Sequence, residues 1–259
     1  MPTSVDSFLD RICGLLLPPR CVLCGGAGQA PCLDLCGACG GDFPALTTGC
    51  VRCGLPVVPR VEADVTCRQC LVEPPPYGRC FAPFEYASPL DGLVHALKYR
   101  GQLATGRVLG TLLGSALMQR GLHLDVDVVV PVPLHPNRHA ERGFNQSAEI
   151  GRWVARAVRR TLLEGAAARI RDTPSQVGLR TVQRRANLAE AFSCSQALRG
   201  KRVAVVDDVV TTGSTARALA GALRAAGAAS IDIWCVARAL PAGPPHDQRA
   251  EDDGACQFS

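Results

Sequence analysis

From residue 90 onward, the apolar residues alternate between two kinds of spacing along the chain. Apolar positions three and four residues apart predict amphipathic helices. Short continuous runs rich in valine predict strands that are buried on both faces. The predicted helices cover residues 90–101, 103–120, 145–163 and 214–228, and the predicted strands cover residues 125–130, 203–207 and 230–240. Because strands alternate with helices, we expect an α/β fold built on a mostly parallel sheet with right-handed crossovers.

The N-terminal part of the chain has a different pattern. Residues 1–20 have helical apolar spacing that ends at Pro18 and Pro19, which predicts a short docking helix. Asp6 and Asp10 stand where an export signal would carry basic residues. The longest apolar runs of the chain are shorter than the roughly 18 to 20 residues that cross a bilayer. We therefore expect a cytoplasmic protein with no membrane span.

Cysteines determine the chemistry of the region that follows, since ten of the 14 lie between residues 13 and 70. Eight of them form four Cys-x-x-Cys pairs: Cys21 and Cys24, Cys36 and Cys39, Cys50 and Cys53, and Cys67 and Cys70. Two intervening residues let both thiolates bind one metal ion, and two such pairs complete a tetrahedral zinc site. Pairing in chain order predicts two structural zinc ribbons within residues 21–80. Interleaved pairing, or a single occupied site, fits the same spacing.

Disulfides and redox chemistry are the alternative explanations of these pairs. Disulfides are disfavoured in a reducing cytosol. A redox motif normally occurs once, beside a strand, whereas these pairs repeat in a segment rich in glycine and proline. Gly25, Gly40 and Gly54 each follow a pair directly, and we expect them to supply the left-handed backbone of a tight knuckle. The other cysteines of the region are expected to be packed or free thiols: Cys13, Cys32 and Cys80.

The segment VAVVDDVVTTGST, residues 203–215, joins a buried strand to a strongly polar turn. We expect Asp207 and Asp208 to leave the strand together, followed by hydroxyls around Gly213 and then by a helix. Backbone N–H groups in such a turn bind a phosphate, and paired carboxylates bind vicinal hydroxyls or Mg²⁺ held through water. A plain helix N-cap accounts for one hydroxyl but not for the acidic pair. The segment therefore predicts a sugar-phosphate site.

Other polar residues are expected near the same edge of the sheet. The turn PVPLH, residues 131–135, follows another predicted strand, and ligands of open parallel sheets bind where strands end. Lys98 lies in the last turn of the helix predicted over 90–101. Its positive charge there suits either the helix dipole or a phosphate contact. His135 and His139 lie four residues apart, but Pro136 disfavours a helix there and with it a metal pair.

These motifs carry a family resemblance. Residues 203–215 resemble the phosphoribosyl pyrophosphate (PRPP) signature of the type I phosphoribosyltransferases. Within that superfamily the chain resembles the ComF family of competence-associated proteins, and the matching motifs run through nearly its whole length. They are LPPRC at residues 17–21 with the cysteine pairs, LKYRG at 97–101, VPVPL at 130–134, RGFNQ at 142–146, RDTPSQVGL at 171–179, and Arg184, Asn187, Ala191 and Phe192.

The resemblance implies a domain order. An N-terminal helix at residues 1–20 and a double zinc-ribbon-like region at 21–80 precede a type I phosphoribosyltransferase-like domain at 81–240. That domain would be a parallel sheet flanked by helices. Residues 241–259 match no motif of the family, and their proline-, glycine- and acid-rich composition predicts a disordered tail.

The resemblance also implies roles for individual residues. Asp207 and Asp208 would be the catalytic pair that meets the ribose hydroxyls of PRPP, with Mg²⁺ as the accompanying ion. The groups around the phosphates of PRPP would be Thr211, Thr212, Gly213, Ser214, Thr215, Pro131, Val132, Pro133, Arg142, Lys98, Arg171 and Gln176. No sequence motif identifies the acceptor of the ribosyl group.

Charge supports a second hypothesis. Residues 138–202 contain 14 arginines and lysines against 5 aspartates and glutamates. This excess suits phosphates, although a solvated basic face is the alternative. The excess supports the hypothesis that this is an accessory protein that handles single-stranded DNA during DNA uptake. Other competence or DNA-processing proteins would be its partners. Aromatic residues make up only 5% of the chain, which is few for stacking on bases. A PRPP sensor without turnover is a third hypothesis.

Overall fold

The structure is a computed structural model, and it describes residues 18–29, 33–57, 65–170 and 191–241. The strands of these residues are β1 Arg79–Phe81, β2 Phe84–Glu85, β3 Val128–Pro131, β4 Thr161–Leu162, β5 Ala167–Arg169, β6 Phe192–Cys194, β7 Arg202–Val210 and β8 Ser230–Arg238. The helices are α1 Gly37–Gly41, α2 Arg68–Val72, α3 Leu90–Arg100, α4 Leu103–Gln119, α5 Pro136–Arg142, α6 Gln146–Val158 and α7 Ser214–Ala225.

A parallel sheet forms the centre of the C-terminal part. Its strand order is β1-β8-β7-β3-β4, and β2 also pairs with β8. Each of these pairings is parallel. Strands β5 and β6 form a separate antiparallel pair. The prediction of an α/β fold on a parallel sheet is confirmed.

Helices cover the sheet on both faces. Ala204 and Val206 of β7 belong to the apolar cluster that contains α3, α4 and α6. Val203 and Val205 belong to the cluster on the other face, which contains α7. Successive strand residues point to opposite faces, so a continuous valine run is buried only when both faces are covered. This is the arrangement that the apolar runs predict.

Helices α4 and α6 approach each other closely because glycine lies at the contact. A methyl group at Gly110 would lie 2.6 Å from the carbonyl oxygen of Ile150 and 2.7 Å from Cβ of Trp153. One turn further along, a methyl group at Gly114 would lie 2.5 Å from Cβ of Ala157. Separations below 3 Å leave no room for a side chain. The two glycines therefore bring α6, and the site residues at its start, close to the rest of the fold.

Two predicted elements differ from the structure. The helix predicted over 145–163 ends at Val158, because Arg159 adopts a left-handed backbone with φ of 53°. Thr161 and Leu162 then pair with β3 as strand β4. The argument against a helix at Pro136 was also wrong: α5 begins there, with Pro136 in the first turn, where its missing N–H is not needed.

The two ribbons attach to different parts of the fold. Asp34 of the first ribbon accepts a hydrogen bond of 2.7 Å from Arg107 of α4. In the second ribbon, the carbonyl of Val51 accepts a 2.9 Å hydrogen bond from the N–H of Cys80 in β1. Residues 1–17 of the docking helix predicted over 1–20 lie outside the described residues, and so do Cys13, Cys32 and the predicted tail beyond residue 241. Among the helices that are described, none is long and apolar enough to span a bilayer.

Candidate functional site

The acidic pair lies inside strand β7 and not beyond its end, which corrects the sequence prediction. Strand β8 runs beside β7 as far as the pairing of Val210 with Arg238, so the strand continues past both carboxylates. Asp207 accepts hydrogen bonds of 2.9 Å from the Ser147 hydroxyl and from the N–H of Asp208. Asp208 is buried and forms an ion pair with Lys98 of α3. Three elements therefore hold the pair in place.

Burial changes the protonation of this cluster. Burial, together with the negative charge of Asp208, raises the pKa of Asp207 to about 8. Burial alone would lower the pKa of Lys98, but the charge of Asp208 and the hydrogen bond to it outweigh that effect and raise it. The pair therefore carries less than its full negative charge at neutral pH, with one ammonium group beside it. The carboxylate oxygens of the pair can accept hydrogen bonds from hydroxyls or bind a cation.

The loop after β7 presents unused backbone donors. Gly213 adopts a left-handed backbone with φ of 76°, and α7 begins at the next residue. Within the described part of the chain, the backbone N–H groups of Thr211, Thr212, Gly213 and Thr215 have no hydrogen-bond acceptor. Free N–H groups at a helix N-terminus favour an anion. This geometry supports a phosphate site at the loop.

Hydroxyl groups complete the loop. The Thr212 hydroxyl lies 3.0 Å from that of Ser214 and accepts a 3.4 Å hydrogen bond from the N–H of Ser214. The residue at the N-cap position is Gly213, which makes no side-chain cap bond. The alternative of a plain Ser or Thr N-cap therefore does not describe this helix. Thr211, Thr212 and Ser214 are exposed, which leaves their hydroxyls accessible to a ligand.

The second turn, after β3, is tied to its neighbours. The N–H of Val132 donates to the carbonyl of Val206 at 2.9 Å, and its carbonyl accepts from the Asn145 side chain at 2.9 Å. Proline has no N–H, so Pro131, Val132 and Pro133 shape the turn without offering a free backbone donor. In the described chain, the N–H of the next residue, Leu134, has no acceptor. Leu134 lies within the predicted turn of residues 131–135, but the sequence reasoning did not single it out as a backbone donor.

Arg142 lies against α3, the helix that carries Lys98. Its guanidinium group is 5.5 Å from the ring centroid of Tyr99 and donates a 2.5 Å hydrogen bond to Gln146. Arg142 therefore packs on the helix from which Lys98 reaches Asp208. Two further predicted ligands lie outside the described residues: Arg171 and Gln176.

Sequence reasoning also missed two positioning side chains in the RGFNQS segment. Asn145 caps α6 by accepting from the N–H of Ser147 at 3.0 Å, while its amide donates to the second turn. Ser147 in turn donates to Asp207. The signal that could have found them is their place at the start of a helix on the segment that follows the second turn.

The cysteines form two groups of four in chain order. The first contains Cys21, Cys24, Cys36 and Cys39, the second contains Cys50, Cys53, Cys67 and Cys70, and in each group the ligand atoms lie within 4.8 Å of one another. The sulfur atoms of Cys24 and Cys36 are 3.8 Å apart, and so are those of Cys53 and Cys67. A tetrahedron with arms of about 2.3 Å has edges of about 3.8 Å. The clusters therefore fit structural zinc, and the chain-order pairing is confirmed.

Backbone donors favour the metal-binding form of two of these thiols. Burial would raise the pKa of Cys21 and Cys50, but backbone N–H groups that donate to the sulfurs lower them to about 6 and about 7. Gly25 and Gly54 have positive φ values of 73° and 72°, as predicted for tight knuckles. Gly40 does not, because it belongs to helix α1.

The comparisons with known proteins agree with this arrangement. The family model "Phosphoribosyl transferase domain" matches residues 152–256, and "Double zinc ribbon domain" matches residues 12–71. The fold and the cysteine clusters define a phosphoribosyltransferase-type α/β protein with an N-terminal double zinc ribbon. The solved glutamine PRPP amidotransferase from B. subtilis is 22% identical, with a TM-score of 0.35, over 49% of this chain and 25% of that one.

Two curated relatives match over most of their length. "DNA utilization protein YhgH" of Escherichia coli (strain K12) is 35% identical over 230 residues, 87% of this chain and 100% of the relative. "Competence protein F" of Haemophilus influenzae is 31% identical over 226 residues, 85% of this chain and 97% of the relative. The chain belongs to the ComF family of phosphoribosyltransferase-like proteins.

Proposed function

We propose that the chain binds PRPP at the carboxyl ends of β7 and β3. The 5-phosphate would lie in the loop of residues 211–215, and the ribose hydroxyls would lie on Asp207 and Asp208. One observation carries this proposal: four backbone N–H groups, which have no acceptor among the described residues, lie a few residues after a carboxylate pair of which Asp208 is buried and Asp207 is half-buried. Separate sites for an anion and for hydroxyls, a few residues apart, fit a sugar phosphate.

The pyrophosphate of PRPP would lie toward the turn after β3. Lys98 and Arg142 supply positive charge there, and the N–H of Leu134 supplies a donor. Asp207 and Asp208 offer the carboxylate oxygens that Mg²⁺ prefers, which fits an ion held through water. When bound, Mg²⁺ would neutralise charge on the pyrophosphate. The residues of the chain bind and orient PRPP, and transfer would then rest on positioning and charge stabilisation with no side-chain nucleophile.

We place this chemistry in DNA uptake or DNA utilisation. The names of the two relatives support that context, and each relative matches over nearly its whole length. Direct binding of single-stranded DNA has weaker support. Several arginines of the basic segment serve the fold instead: Arg152 contacts Glu149 and Glu164, and Arg202 contacts Asp127 at 2.8 Å. The activity that we propose for this protein is therefore PRPP binding, and no acceptor of the ribosyl group is assigned.

The site is tested by comparing PRPP binding in matched variants. The double variant Asp207→Asn with Asp208→Asn should lose PRPP binding at millimolar concentration in a thermal-shift assay, while its zinc content stays that of the wild type. The variant Asp232→Asn, which changes a half-buried acid near the opposite end of the same sheet, should bind PRPP normally. Equal binding by all three proteins would refute the site. A pyrophosphate-release screen against bases, amines and single-stranded DNA then separates an enzyme from a sensor.

A further inference from the structure

Arg238 joins the second cysteine cluster to the loop after β7. It is a charged residue at the end of β8 and is only 4% exposed. Its Nε donates a 2.8 Å hydrogen bond to the carbonyl of Cys53, which is itself a member of the cluster. Its Nη1 donates to the carbonyls of Val210, at 2.8 Å, and Thr211. One planar guanidinium group therefore bridges the knuckle of residues 50–54 and the loop of residues 211–215.

This bridge orients the free donors of the loop. The C=O and N–H groups of a trans peptide point in opposite directions. Because Arg238 holds the carbonyls of Val210 and Thr211, the following N–H groups, those of Thr211 and Thr212, point away from Arg238. These are two of the N–H groups that have no acceptor in the described chain. The direction in which the N–H groups of Thr211 and Thr212 point thus depends on the position of the Arg238 side chain.

The other side of Arg238 is held by the knuckle. A methyl group at Gly54 would lie 3.6 Å from Cδ of Arg238 and 3.4 Å from Sγ of Cys80, so the knuckle backbone packs directly on the arginine stem. The knuckle and the loop also share the walls of a cavity of about 300 Å³, together with Tyr77 and Arg217. The first cluster attaches elsewhere, through Asp34 and Arg107 of α4.

We propose that Arg238 is a positioning residue that couples the second zinc site to the loop of residues 211–215. Metal in the cluster of Cys50, Cys53, Cys67 and Cys70 fixes the Cys53 carbonyl, and this carbonyl fixes Arg238 and the loop. Loss of metal from this cluster therefore loosens the loop, whereas loss from the first cluster does not. The consequence for ligand affinity rests on the proposed PRPP site, but the effect on the loop does not.

Amide hydrogen exchange of the full chain tests the coupling without any ligand. Cys70→Ser removes a metal ligand that has no bond to Arg238, and Cys39→Ser is the matched change in the first cluster. We expect Cys70→Ser, but not Cys39→Ser, to raise amide exchange of the loop by roughly tenfold, within the range of energies for contacting residues. The exchange is read at Ser214, Arg217 and Ala239, whose N–H groups donate to Thr212, Gly213 and Val210. Zinc content of each variant is measured alongside. Equal effects of the two variants on the loop would overturn the proposal.

A double-mutant cycle separates coupling from a merely structural role. Arg238→Met should raise exchange of the loop by itself, and Cys70→Ser should then add nothing more. Full additivity would overturn the proposal. If Arg238→Met does not fold, Arg238→Lys is used, since it keeps the charge but loses the planar fork. PRPP titration of the same proteins should show about tenfold weaker binding for Cys70→Ser. Absence of binding by the wild type contradicts the proposed function, while the exchange result still decides the coupling.

Discussion

Replacing Lys98 by methionine isolates the ion pair at the centre of the site. Methionine fills a similar volume, but it leaves the buried Asp208 carboxylate without its counter-ion. Removing one partner of a buried ion pair costs about 3 to 5 kcal/mol. The Lys98 side chain is 23% exposed, so we expect the lower end of that range, about 3 kcal/mol. Arg100→Met, on an exposed position of the same helix, should change the free energy of unfolding by less than about 0.5 kcal/mol.

The pH dependence of this cost has a definite sign. The folded protein raises the pKa of Asp207 to about 8, above its ordinary value of 3.8. A carboxyl with a raised folded pKa stabilises the fold at low pH and loses that contribution as the pH rises through about 8. Without Lys98, negative charge on the pair is less favourable still. The difference in unfolding free energy between Lys98→Met and the wild type should therefore grow as the pH rises past about 8, where Asp207 loses its proton in the wild type but keeps it in the variant.

Urea denaturation at several pH values measures both quantities. Adding Asp208→Asn to Lys98→Met should recover most of the lost stability, because the buried charge is then gone. The reasoning would be refuted if Lys98→Met cost no more than Arg100→Met, or if its cost did not change with pH.

The remaining predictions concern packing, the second turn and the metal. Gly110→Ala should destabilise the fold by about 1 to 3 kcal/mol in urea denaturation, because its methyl group clashes with α6, whereas Gly221→Ala, in open space, should stabilise it slightly. Asn145→Asp keeps the helix-cap oxygen but loses the amide donor to the second turn, so calorimetry should show a larger loss of affinity for PRPP than for ribose 5-phosphate. Two zinc ions per chain are expected by elemental analysis, and strong chelators should unfold the ribbons; a chelator-treated chain with unchanged circular dichroism would contradict structural zinc.

Periodicity and spacing predicted the parts of the fold that depend on local pattern. The valine run of β7, the helix that ends at Gly101 and the chain-order cysteine pairs follow from neighbours in sequence. The end of α6 could not be predicted in this way. Val158 and Leu162 suit a helix, but Arg159 turns left-handed and Arg160 donates to the carbonyl of Val126 at 2.6 Å, which leads the chain to the edge of the sheet.

The candidate site was predictable where one segment carries it and not where distant segments meet. Asp207, Asp208 and the loop lie together in the sequence, so the pattern identified them as a candidate. Ser147 and Arg238 reach the site only because α6 and β8 pack beside β7. Their roles depend on pairing in three dimensions, which no local spacing encodes.

Calorimetric titration of PRPP into the full-length protein, with and without Mg²⁺, tests the central claim most directly. The account predicts saturable binding of one PRPP per chain, tighter with Mg²⁺ than without it, and weaker binding of ribose 5-phosphate, which lacks the pyrophosphate. Absence of binding heat at millimolar PRPP, in protein that carries its zinc, would contradict it.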